Sequence, residues 1–237
     1  MRTLAILALS TLAYVRSADP KGRILAWQTP DFSLRVGAAV PKGVTRQAML
    51  DAARAAARAW NEVDCAAVHI EIEDGGSVVL PVREDGVNAV VPHLMTWCAD
   101  ERGTGCHDNM NPALTTTRFR PGTQKRTATI HEVDVELNAV DYRWDDLKAP
   151  NGADLQTILT HELGHALGLA DACRMPGAAV IRDDQGAVAP DCTASPSEVR
   201  ASVMWPLGAP NDLRRRALSP EDRRAICALY PKREGHR

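Results

Sequence analysis

Several common signatures are missing from this 237-residue sequence. No two of its six cysteines form a CxxC pair, which argues against a thiolate zinc knuckle and a thioredoxin-like redox site. The net charge is only -2, so no strong field of either sign favours nucleic acid or an anionic membrane as a partner. There is no internal repeat, coiled-coil heptad or low-complexity tract. Beyond residue 17, no uncharged apolar run is long enough to span a bilayer.

The first 17 residues have the pattern of a secretory signal peptide. Arg2 supplies a positive start, residues 3–15 are mainly apolar, and Val15 and Ser17 suit a signal-peptidase cut after Ser17. The alternative is a buried N-terminal helix or strand. We therefore expect residues 18–237 to form one secreted or periplasmic domain, in keeping with a composition that is 45% hydrophobic and 24% charged.

An even number of cysteines in an exported chain suggests disulfide bonds, although buried free thiols are the alternative. Six cysteines allow about 15 pairings, and the sequence cannot choose among them rigorously. Loop closure favours short loops between neighbouring cysteines. The candidate pairs are Cys98 with Cys106, Cys173 with Cys192, and the remaining Cys65 with Cys227.

The apolar pattern predicts an α+β fold with a mixed twisted sheet and two long helices. Extended segments are expected over residues 24–36, 68–72, 78–82, 87–91, 114–119 and 127–137. The long helices span residues 45–63 and about 154–167, with Thr45 and Asp154 as N-caps. These elements make an upper lobe of about residues 24–170. A loop-rich lower lobe of about residues 171–232 ends in a helix that Ser219 caps.

The strongest candidate site lies in the second long helix. His161 and His165 are four residues apart, so on a helix both imidazoles project from one face and can bind one metal ion. Glu162 follows the first ligand, where it can take a proton from a water molecule and later pass it to a leaving amine. Gly168 permits a bend that returns the chain to the metal, which makes Asp171 the candidate third ligand. The alternative is an amphipathic helix with structural histidines.

Residues 161–171, HELGHALGLAD, resemble the zinc signature HExxHxxGxxH of the metzincin metallopeptidases, with aspartate in the third place. Residues 202–206, SVMWP, are similar to the Met-turn of that family, whose methionine, here Met204, lies beneath the metal and does not bind it. The aromatic residue and proline that end this turn look most like those of the matrixins. Residues 57–63 and 218–230 are similar to the matrixin first and closing helices, so the resemblance covers residues 27–230.

The resemblance implies a metzincin-like peptidase domain with one catalytic zinc ion. It also implies that strand 114–119 pairs with an extended substrate, although an ordinary edge strand is the alternative. Residues 205–213 would wall a specificity pocket, where Leu207 and Leu213 favour apolar side chains. Calcium sites are common in matrixins, and Asp141, Asp145 and Asp146 offer oxygen ligands, although such acids are more often simply solvated. Aspartate as third ligand is a departure shared with snapalysin-like metzincins. No cysteine-switch propeptide is visible, and Pro206 replaces the tyrosine of astacins and serralysins.

The function expected from these observations is that of a secreted, monomeric zinc endopeptidase acting on a protein or peptide substrate. A non-catalytic secreted binding protein on the same scaffold is one alternative, and Glu162 argues against it because such a scaffold has no need of that carboxylate. A zinc hydrolase of a non-peptide substrate is another alternative, which the motif does not exclude. The remaining histidines have no ligand spacing and are expected to be structural or exposed.

Overall fold

Six strands form one sheet that is mainly parallel in the computed structural model, which describes residues 14–79, 81–99, 104–122, 127–145, 148–183, 185–208 and 212–232. The long strand β6 runs at the centre, β1, β4, β2 and β3 lie to one side of it, and antiparallel β5 forms the edge on the other side. The strands are β1 Ile24–Trp27, β2 Asp31–Val36, β3 His69–Asp74, β4 Ala89–His93, β5 Ala113–Pro121 and β6 Thr127–Asn138.

Two long helices share one hydrophobic core with this sheet. Helix α1, Arg46–Asn61, begins at Thr45, whose side chain accepts a hydrogen bond from the Ala48 amide at 3.1 Å. Helix α2, Leu155–Ala166, begins in the same way at Asp154. The buried Trp60 indole of α1 donates to the carbonyl of Thr160 on α2 at 2.9 Å. Both predicted N-caps are confirmed, and the two helices are joined across the core.

The face of β6 that carries Glu132, Asp134 and Glu136 is buried rather than solvated. Arg118 of β5 lies 3.0 Å from the Glu132 carboxylate and 2.7 Å from that of Asp134. Glu136 is 2.8 Å from Nε2 of His93. Burial raises the pKa of Asp134 to about 6, although Arg118 opposes the shift. The alternation of apolar and acidic residues along β6 does not by itself show whether the acidic face is exposed or is buried and paired with cations.

One predicted strand is wrong. Within the described part of residues 78–82 the chain is irregular, and Val78 and Val79 are 53% and 75% exposed. Gly75 and Gly76 form a turn after β3, with Gly76 at a φ of 61°, and the Val78 carbonyl accepts one hydrogen bond, from the Ala38 amide at 2.7 Å, without forming a strand ladder in the described residues. The strand expected over residues 87–91 is present but lies at Ala89–His93.

The C-terminal part is loop-rich, as predicted, and contains a short helix α3, Ser197–Ala201, and the closing helix α4, Pro220–Leu229. Ser219 caps α4 and forms a reciprocal capping box with Asp222. The six cysteines pair as loop closure favours: Cys65–Cys227, Cys98–Cys106 and Cys173–Cys192. In the described part, four helices accompany a mainly parallel sheet, in agreement with an α+β fold. No helix among these residues has the length and apolar character needed to cross a membrane.

Because Cys65 and Cys227 are 162 positions apart, their bond should stabilise the fold more than the Cys98–Cys106 bond, which closes a separation of only 8. From the loss of chain entropy in the unfolded state, the disulfide that closes the long loop should stabilise the fold by about 5 kcal/mol, and the one that closes the short loop by about 2.5 kcal/mol. We expect the Cys65→Ser/Cys227→Ser variant to lose more free energy of unfolding in urea than Cys98→Ser/Cys106→Ser. An equal or smaller loss for the long loop would contradict this order.

Candidate metal centre

Three side chains converge at the end of α2 with their ligand atoms close together. Nε2 of His161 and Nε2 of His165 are 3.0 Å apart. Oδ1 of Asp171 lies 3.5 Å from the first and 3.4 Å from the second. Zinc bonds of about 2.0–2.1 Å in tetrahedral geometry separate ligand atoms by roughly 3.4 Å. The triangle therefore has the size that one zinc ion requires.

The hydrogen bonds of the two imidazoles also suit a cation. Nδ1 of His161 faces the Val203 carbonyl at 2.8 Å, and Nδ1 of His165 faces the Leu169 carbonyl at 2.9 Å. A carbonyl only accepts, so each Nδ1 carries a hydrogen, and in a neutral ring Nε2 keeps its lone pair. Two lone pairs then face each other across 3.0 Å. Oδ1 of Asp171 is buried and accepts no hydrogen bond from the described residues. These donors fit a zinc ion.

Electrostatics within the metal-free site pull the two imidazoles in opposite directions. Burial lowers the pKa of His161, and the neighbouring His165 lowers it further. Burial also disfavours the charged form of His165, but its interaction with the Asp171 carboxylate outweighs this and raises the pKa to about 9. Burial opposes ionisation of Asp171 too, yet the imidazoles hold its pKa below the usual range. In the absence of a metal, a proton on His165 therefore compensates the carboxylate.

Gly168 produces the bend that brings Asp171 back to the histidines. Its φ is 94°, and a Cβ at this position would lie 2.4 Å from the Leu25 carbonyl oxygen, so both conformation and space require glycine. The carbonyls that α2 leaves free at this end are bound: Trp27 donates to that of Ala166 at 2.8 Å, and the Tyr230 hydroxyl to that of Leu167 at 2.7 Å. The bend expected from the sequence is present and is fixed by its surroundings.

The N-terminal segment contacts the loop after Gly168, which sequence reasoning missed. The Ser17 amide donates to the Gly168 carbonyl at 2.8 Å, and the Ser17 hydroxyl to the Leu169 carbonyl at 2.9 Å. The Ala170 amide donates to the Val15 carbonyl at 3.1 Å. Most of the predicted signal peptide, residues 1–13, lies outside the described residues. A cut after Ser17 would remove these bonds from a loop whose Leu169 carbonyl also orients His165.

The turn at residues 202–205 packs against α2 between the two histidines. Met204 is buried, and its sulfur packs where a Cβ on Gly164 would lie, at 2.2 Å from that position. Gly164 stands between the two histidines on α2, so the close approach needs its missing side chain. Asp222 of α4 holds the turn through the Ser202 hydroxyl at 2.5 Å and the Val203 amide at 2.9 Å. The same turn supplies the carbonyl that orients His161.

A cleft of about 800 Å³ runs past His161, His165 and Asp171. Glu162 lies on its wall, buried, with Oε2 accepting a hydrogen bond of 2.7 Å from the Thr115 hydroxyl of β5. Trp205, Pro206, Leu207 and Gly208 line another side. Leu213, expected in this wall, begins a short 3-10 turn and is 43% exposed, whereas Arg215 lines the cleft. Residues 209–211 lie outside the described part.

The calcium prediction gains no support from the geometry. Asp141 accepts a hydrogen bond from the Asn138 amide at 3.0 Å, and Asp145 accepts one from the Leu155 amide at 2.9 Å. Asp146 lies outside the described residues. Among those described, His161, His165 and Asp171 form the one group of three whose ligand atoms all lie within 4.8 Å of one another.

Comparison with known proteins adds no identification. No protein-family model matches the chain, and no curated protein matches it significantly.

Replacing Gly164 by alanine should disturb the site although alanine favours helices. In an exposed helix, replacing glycine by alanine raises the free energy of unfolding by about 1 kcal/mol. Here the new methyl meets the Met204 sulfur at 2.2 Å and Trp60 at 3.0 Å, so we expect a net loss of about 1–3 kcal/mol in urea unfolding. Combining Gly164→Ala with Met204→Ala should cost less than the sum of the single changes. Stabilisation by Gly164→Ala alone would contradict the contact.

Zinc affinity should depend on pH. Binding must displace the proton that His165 carries below a pKa of about 9, so affinity should fall as the pH is lowered, by up to about tenfold per unit. Calorimetry at pH 7 in two buffers of different ionisation enthalpy should count about one proton released per ion. Release of no proton would show that His165 is already neutral there.

Proposed function

We propose that this protein is a secreted zinc-dependent endopeptidase of the metzincin type, similar to the matrixins. The observation that carries the proposal is the convergence of His161, His165 and Asp171 beside the buried Glu162. Three ligands leave the open coordination position that catalytic zinc sites need, whereas structural sites use four. In the described residues no fourth ligand joins the group. A set of three ligands therefore favours a catalytic zinc site over a structural one.

The reaction follows from the chemistry of these groups. Zinc, when bound, supplies Lewis acidity that polarises a scissile carbonyl and acidifies water. Glu162 takes one proton from the attacking water molecule and then gives it to the nitrogen of the leaving amine. The bond between the water oxygen and the carbonyl carbon forms, and the carbon–nitrogen bond breaks. Glu162 returns to its carboxylate form when the amine leaves.

A peptide is the substrate that the cleft suits best. Among the described strands β5 pairs with β6 alone, and its Leu114, Thr115 and Thr117 line the cleft next to Glu162. An extended peptide can add to such an edge through its backbone, which holds the scissile bond close to the metal. Trp205 and Leu207 offer an apolar wall, while Arg215 adds a cation to the same side.

Export is proposed on two grounds. The first 17 residues have a signal-peptide pattern, and all six cysteines lie in pairs at disulfide distance. Paired cysteines also leave no free thiol to block the metal, because the described chain has no unpaired cysteine. Latency through a cysteine of this chain is therefore not part of the proposal.

The test is cleavage of casein and of a quenched peptide library by the zinc-loaded protein, with and without a chelator. Glu162→Gln keeps the size of the side chain and one oxygen that can accept from Thr115, but removes the base, so we expect kcat to fall by about 10²–10⁴-fold. Zinc content should stay near that of the wild type, since Glu162 binds no metal. Asp171→Ala should instead lose zinc.

Each alternative has its own outcome in this experiment. Peptide cleavage that survives Glu162→Gln, or ignores the chelator, rules out the mechanism. If the zinc-loaded wild type cleaves neither substrate but hydrolyses simple esters or other amides, the protein is a different zinc hydrolase. If it hydrolyses none of these, it is a binding protein.

A further inference from the structure

One hydroxyl group on the edge strand contacts the proposed base at two points. Oγ1 of Thr115 lies 2.7 Å from Oε2 of Glu162 and 3.1 Å from the main-chain carbonyl oxygen of the same residue. Thr115 is half-buried in β5, where it pairs in register with Val135 of β6. A threonine in a strand has few side-chain rotamers, so its hydroxyl is held in place by the sheet.

We propose that Thr115 is a positioning residue for catalysis, because its hydroxyl holds the Glu162 carboxylate in the orientation from which it acts as base. This inference rests on the proposed peptidase function. Glutamate has three rotatable side-chain bonds, and α2 by itself fixes only the first part of the chain. The bond to Oε2 fixes the carboxylate plane. No hydrogen bond from the described residues reaches Oε1, which leaves that oxygen for the water molecule.

The second contact lets Thr115 serve both halves of the reaction. A hydroxyl has one hydrogen to donate and two lone pairs to accept with. While Glu162 is a carboxylate, the hydrogen points to Oε2 at the shorter distance. When Glu162 carries the proton taken from water, the hydroxyl can turn its own hydrogen to the main-chain carbonyl and accept from Glu162. The transferred proton remains on Glu162, and Thr115 keeps its hydrogen throughout.

The neighbouring threonine supplies an internal comparison. Thr116 points to the other face of β5, where its hydroxyl donates to Glu136 at 2.7 Å. It does not line the cleft, whereas Thr115 does. Replacing either threonine by valine keeps the β-branched shape and removes one hydroxyl that binds a carboxylate. Only the Thr115 change reaches Glu162, so the pair separates an effect on the base from a general weakening of β5.

The experiment compares Thr115→Val, Thr115→Ser and Thr116→Val with the wild type, using a quenched peptide that the wild type cleaves. We expect Thr115→Val to lower kcat by roughly 10–100-fold with KM changed less than about threefold, because a misplaced base slows the chemical step rather than binding. Thr115→Ser restores the hydroxyl and should recover most of kcat. Thr116→Val should keep kcat near the wild-type value. Zinc content should match the wild type in all three variants.

Several results would overturn the proposal. A wild-type kcat for Thr115→Val, no recovery in Thr115→Ser, an equal loss in Thr116→Val, or a change in KM alone would each assign Thr115 a different role. Crystal structures of the zinc-loaded variants provide a readout without activity: the Glu162 carboxylate should turn in Thr115→Val and not in Thr115→Ser. If the wild type cleaves no peptide, the proposed function fails, and an unmoved carboxylate in Thr115→Val independently rejects the positioning role.

Discussion

The approach of two imidazole nitrogens to 3.0 Å is the constraint on which the rest of the site depends. Two neutral rings repel each other at this distance unless a proton or a metal ion lies between them and the Asp171 carboxylate. The protein nevertheless holds both rings there, through a carbonyl from the turn below and a carbonyl from the loop beyond α2. The segments that carry these two carbonyls are held in turn by elements that supply none of the three converging side chains.

Those supporting elements come from distant parts of the sequence. Asp222 of α4 holds the turn that orients His161, while Tyr230, just after α4, binds the carbonyl of Leu167 at the end of α2. The disulfide Cys65–Cys227 fixes α4 to the segment that follows α1. A loss of stability in the closing helix should therefore reach His161 through its outer hydrogen bond, as well as strand β1, whose Trp27 amide donates to the Tyr230 hydroxyl at 3.0 Å.

The sequence predicted the local features of the site, and the family resemblance implied that Met204 packs beneath it, but other long-range contacts were missed. The spacing of His161 and His165 and the glycine at 168 are readable because helix periodicity and positive φ act over a few residues. The hydroxyl of Thr115 and the close contact of Met204 with Gly164 depend on packing between elements far apart in the chain. The same reason explains the error at residues 78–82, since a valine-rich segment forms a strand only where a neighbouring strand is available to pair with it.

In the proposed zinc site, an aspartate as third ligand has a consequence for Glu162, the proposed base. A carboxylate cancels one positive charge of a zinc ion, whereas a third histidine cancels none, so the site with Asp171 would acidify water less strongly. In the proposed mechanism, proton removal by Glu162 would then contribute more to the rate. Glu162 is buried and its carboxylate is tied to a sheet rather than to a mobile loop. The proposed mechanism would therefore combine a metal site that acidifies water less with a base whose carboxylate is hydrogen-bonded to the sheet.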